Sequence, residues 1–73
     1  MTRKEALEWL IEQNVVGHRK AKRNRDILKA RFMNGDTIEE IAEQFDMSPK
    51  QISRIVARNG NPLLIKLSKM SLE

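Results

Sequence analysis

Two helix-start signals, with almost nothing between the helices they open, constrain this chain more than any other feature. Thr37 and Glu40 have the spacing of a capping box, in which each side chain accepts a hydrogen bond from the other residue's free backbone N–H. Ile38, Ile41, Ala42 and Phe45 then recur at helical spacing, and Glu39, Glu40, Glu43 and Gln44 take the opposite face. Acids in a first turn also favour the helix dipole. Ser48 and Gln51 repeat the box, Pro49 fits the first helical position, and Ile52, Ile55 and Val56 form a second apolar stripe. Asn59-Gly60 reads as a stop, because glycine readily takes the left-handed conformation that ends helices. Only Asp46, Met47 and the Ser48 cap separate the two helices. So short a connection cannot return the chain antiparallel. It predicts a steep crossing, the geometry of a helix-turn-helix, with Met47 as the apolar plug and Ala42 small where the helices approach.

With Ile41, Ala42, Phe45, Met47, Ile52 and Ile55 at the apolar and small positions of that motif, Arg23 to Val56 resembles the DNA-binding end of the Mor/C phage activators. It is also similar to resolvase-type and sigma-factor region-four modules. The resemblance covers roughly half the chain. Many such turns carry glycine where this one has Asp46, a residue type that tolerates positive φ better than other non-glycines. The resemblance implies a 49–59 helix that enters the major groove of double-stranded DNA, reading base edges near its N-terminus. Carried over from the motif, Lys50, Gln51, Ser53 and Arg54 are the base-reading candidates. The capping role of Gln51 competes for the same amide. Thr37 and Ser48, at helix starts, suit phosphate. Arg58 and the basic run, with Arg19, Lys20 and Arg23, are expected to add backbone contacts.

The charge is distributed in blocks. Residues 18–35 carry seven basic groups against Asp26, a local +6; residues 36–48 carry five acids and no base; residues 49–60 return to +3 through Lys50, Arg54 and Arg58. The formal net charge is +4 and the pI about 9.9. Two basic surfaces flanking an acidic one fit a protein that faces phosphate.

The expected fold is all-α: a small helical domain of about five helices around a central tri-helical helix-turn-helix. It divides into an N-terminal helix (1–17), a DNA-binding core (18–60) and a C-terminal helix (61–73) in one domain. Thr2 and Glu5 make a third capping box before a helix over about 3–14, striped by Ala6, Leu7, Leu10 and Ile11. Trp9 reads as a packing residue in a core or a dimer interface. A brace helix from about Lys20 to Asn34 ends at Asn34-Gly35-Asp36. The expected three-helix core is Ile27, Leu28, Phe32, Ile38, Ile41, Ala42, Phe45, Met47, Ile52, Ile55 and Val56. Asn61 and Pro62 open the last helix, with Leu63, Leu64, Leu67 and Met70 on one side. The apolar stripes of the terminal helices exceed what that core needs, so a homodimer through them is expected.

Other classes have little support. No cysteine is available for a disulfide or a Cys-based metal site, and the single histidine makes no metal site alone. No cofactor is expected. No tyrosine is present, the four serines lack a nearby His/Asp arrangement, and there is no Gly-rich phosphate loop, so an enzyme is not expected. The longest apolar run is Leu63 to Ile65, far short of a membrane span, and a cytoplasmic, nucleoid-associated location is the default expectation. The expected function is a sequence-specific DNA-binding transcriptional regulator of phage or mobile-element type, with RNA polymerase as a further partner. The alternatives are a protein-interaction adaptor binding polymerase or another regulator, and DNA-end recognition in packaging.

Overall fold

A computed structural model describes residues 2–14 and 21–70. They form four helices, α1 (Arg3–Asn14), α2 (Ala21–Phe32), α3 (Ile38–Gln44) and α4 (Pro49–Ser68), and no strand is present among the described residues. The all-α class is as expected; the described residues hold four helices, not about five.

The caps form as the sequence dictates. Thr2 Oγ1 accepts from the Glu5 N–H at 3.1 Å while Glu5 Oε1 accepts from the Thr2 N–H at 3.1 Å. α2 ends where Gly35 takes φ 74°, and the N–H groups of Asn34 and Asp36 reach back to the carbonyls of Lys29 and Ala30. The chain leaves α3 through Phe45 and then Asp46, φ 53°, the left-handed residue expected in the turn. The Asp46 N–H donates to Glu43 O at 3.4 Å and the Met47 N–H to Ala42 O at 2.9 Å, the paired bonds of a Schellman motif.

The difference lies in α4, which is one helix of 20 residues, about 30 Å long. Asn59-Gly60 does not stop it, and Asn61-Pro62 does not begin another. An interior proline costs about 3 kcal/mol. Burial just beyond the proline offsets this. Leu63 and Leu67, just beyond the proline, are buried against α1, and fully burying a leucine contributes about 1.5–3 kcal/mol. Gly60 is needed for close packing, not for a turn: a Cβ there would lie 2.8 Å from the Phe32 ring.

The interior is correspondingly in two parts. Ile27, Ala30, Ile41, Ala42 and Ile52 form one core, with Ile38, Phe45, Met47, Ile55 and Val56 packed against it. Ala6, Leu7, Leu10, Ile11, Leu28, Leu63 and Leu67 form the other, joined by Phe32, Met33 and Met70. Leu28 and Phe32, expected in the three-helix core, belong to the second. The apolar stripes of the terminal helices therefore face each other within one chain. Trp9 is in neither core and is half exposed. The residues of α2 and α4 contribute to both, so these two helices tie the motif to α1.

Candidate nucleic-acid interface

The first three turns of α4 present a single cationic side. Ile52 is buried and Ile55, Val56 and Asn59 half-buried, so Lys50, Ser53, Arg54, Ala57 and Arg58 are left exposed on the far side of the helix. The Asn59 side chain turns onto its own helix, its Nδ2 donating to Ile55 O at 2.9 Å. Ser48 Oγ accepts from the Gln51 N–H at 3.1 Å, and Gln51 Oε1 accepts from the Ser48 N–H at 3.0 Å. The Gln51 carbonyl oxygen is thus engaged in the cap, and only its Nε2 is left to donate outward. Thr37 and Glu40 hold the same reciprocal pair at 3.1 and 3.0 Å. Those bonds, backbone before side chain, draw the Glu40 carboxyl below its ordinary range. Thr37 and Ser48 are both exposed.

The two basic blocks differ sharply once partners are assigned. On α2, Lys22 pairs with Asp26 at 2.9 Å. Lys29 pairs closely with Glu12 of α1, and Arg25 reaches the same carboxylate at 3.8 Å. The hydrogen bond from Lys29 lowers the Glu12 pKa and raises that of Lys29. Arg31 Nη1 donates to Asp36 O at 3.1 Å. Arg23 is half-buried: its Nη2 donates to Asn24 Oδ1 at 3.4 Å and its Nε is enclosed without a hydrogen-bond partner among the described residues. By contrast Lys50, Arg54 and Arg58 are exposed and in no ion pair among the described residues.

The structure thus brings Ser48, Lys50, Gln51, Ser53, Arg54 and Arg58 onto the start and outer side of one helix. Thr37 opens the preceding helix and Arg23 lies on α2. Arg19 and Lys20 lie outside the described residues. The sequence reading missed Glu12, whose acidic side chain neutralises part of the basic helix. It also missed that the outer side of α4 runs on through Asn61 to Ile65, because Gly60 and Pro62 looked like a boundary.

Residues 21–58 match the family described as Sigma-70, region 4. The chain belongs to the sigma-70 region 4 family. Of the three families that the segment resembles, this is the one the match falls on, and it carries the reading of a helix-turn-helix DNA-binding module. It is a DNA-binding family, not an enzyme family. The region 4 match spans α2, α3 and the cationic half of α4; α1 and the half of α4 seated on it lie outside. No match is found among curated proteins or among solved structures. Among the described residues no helix is long and apolar enough to cross a membrane, and no cluster of acidic or histidine side chains could hold a metal ion.

Proposed function

We propose that this region 4 protein is a sequence-specific transcriptional regulator that reads duplex DNA with the Pro49–Asn59 part of α4 in the major groove. The observation that carries the reading is the exposed set Lys50, Arg54 and Arg58, in no ion pair among the described residues, on the outer side of a helix whose other side is core. Arg54 forks onto guanine O6 and N7; Lys50 and Ser53 read neighbouring base edges, and Gln51 adds one donor beyond its capping bonds. The hydroxyls of Thr37 and Ser48, with Arg58, Arg23, Arg19 and Lys20, contact phosphates. The protein acts in the cytoplasm as a pair of copies on an inverted repeat, as phage-type regulators do. The exposed acids Glu39 and Glu43 on α3, in no ion pair among the described residues, are the surface available to RNA polymerase.

Selection of sites from random duplex DNA at about 0.15 M salt tests this directly. The expected product is an inverted repeat with half-sites about one helical turn apart. Weak, salt-sensitive binding with no enriched sequence would instead assign the fold to protein contacts, with the acidic α3 face as the surface to map.

A further inference from the structure

Among the described residues three large apolar side chains are exposed: Trp9 at 50 %, Leu64 at 37 % and Ile65 at 57 %. None belongs to either core. Their surroundings are opposite in charge. Trp9 sits in a recess lined by α1's own outer face, where Glu5, Glu8 and Glu12 outnumber the one cation, Lys4. Glu5 lies four residues before the indole and Glu12 three after, which puts a carboxylate about one turn to either side. Ile65 has Lys69 one turn after it and Arg58 two turns before it on the same side of α4. The spacing from Glu5 to Trp9 is also the spacing from Ile65 to Lys69. Within one chain the two surfaces cannot meet, because α1 packs on α4 through the opposite side, Ala6, Leu7, Leu10 and Ile11 against Leu63 and Leu67.

We infer that Trp9 of one copy docks on Leu64 and Ile65 of a second, with α1 antiparallel to the C-terminal half of α4 and Glu5 against Lys69 of the second copy. A twofold axis makes the contact twice, since each chain carries both halves. A chain of net charge +4 repels its own copies over most of its surface, and α1's acidic outer face is where a basic copy can approach. The apolar area is small. Half an indole and parts of two aliphatic side chains fall far below the roughly 800 Å² per partner of a standard interface. The contact is therefore weak in free solution and forms on DNA, where two half-sites hold the copies at high local concentration. It rests on the DNA reading above and names the interface of that pair.

The first test compares affinity for a duplex bearing one selected half-site with affinity for the inverted pair. The pair is expected to bind with a cooperativity of roughly 5–150-fold. Trp9→Ala and Ile65→Ser, both at exposed helical positions, are each expected to abolish it while half-site affinity stays unchanged. Glu5→Lys is expected to abolish it too, and Lys69→Glu in the same chain to restore it. Cooperativity that survives Trp9→Ala and Ile65→Ser, or selection of a single short site, overturns the inference. Failure of wild-type chain to bind any duplex is a failure of the DNA reading instead. A second readout is made on the same inverted-pair duplex and uses the chain's lack of native cysteine. Trp9→Cys and Ile65→Cys chains mixed under oxidising conditions are expected to cross-link to each other in excess of like with like. Equal yields of all pairings overturn the contact.

Discussion

Gly60 and Arg54 show how differently two residues of one helix are constrained. At Gly60 two terms oppose. Alanine gains about 1 kcal/mol of helix propensity, but its Cβ would stand 2.8 and 2.9 Å from two atoms of the Phe32 ring. Overpacking of that kind costs about 1–3 kcal/mol. Gly60→Ala is expected to destabilise the wild-type chain by roughly 1 kcal/mol in denaturant unfolding, yet to stabilise a Phe32→Ala chain by about the propensity difference. The same sign in both backgrounds would remove Phe32 as the cause. Arg54 touches no core, so its substitution is expected to leave stability unchanged. Arg54→Ala should cost about 1–3 kcal/mol of binding and relax preference at one base pair, read by competition among duplexes varied one position at a time. Unchanged preference at every position contradicts the docking geometry.

The elements were legible wherever local chemistry decides, and misread where tertiary packing does. The boxes at Thr2, Thr37 and Ser48 each form as the sequence predicts, because a cap involves residues three apart and nothing else. The left-handed Asp46 was legible for the same reason. The 59–62 segment was not: Asn-Gly and Asn-Pro are strong local stop and start signals, and only the burial of Leu63 and Leu67 by α1 overrides them. Nor could spacing say that Glu12 meets Lys29, since that pair depends on how α1 seats. Continuity of α4 makes a prediction of its own. Pro62→Ala restores a backbone N–H inside the helix and is expected to stabilise the protein by about 1–3 kcal/mol with higher helicity. Were Pro62 instead the first residue of a separate helix, the same change would be neutral or harmful. The caps set the acid limit. Glu5, Glu12 and Glu40 all have folded-state pKa values below their ordinary range, so the stability they contribute is complete above that range. It is lost as pH falls below the ordinary glutamate range and through the lowered values, and circular dichroism should show helicity falling in that window. The raised pKa of Lys29 acts at the other end: its contribution is complete below the ordinary lysine range and lost as pH rises through the folded value.

On the scale of the whole molecule, the chain is a region 4 module with a second core attached. α1 covers the extended end of α4, and through Glu12 it also sets which cations remain available. Arg25 and Lys29 are turned toward α1, Lys22 toward Asp26, while Lys50, Arg54 and Arg58 face outward with no ion pair among the described residues. The formal charge of residues 18–35 overstates what that helix can offer to phosphate. Binding strength should therefore follow the α4 cations and not Lys22, Arg25 or Lys29. The measurement that tests this most directly is the slope of log affinity against log salt for the selected duplex, in wild-type, Arg58→Ala and Lys29→Ala chains. Each phosphate contact contributes about 0.9 to the slope on duplex DNA. Arg58→Ala is predicted to flatten it by about one unit and Lys29→Ala to leave it unchanged. A slope that falls with Lys29 and not with Arg58 would place the DNA on α2 and contradict the α4 interface.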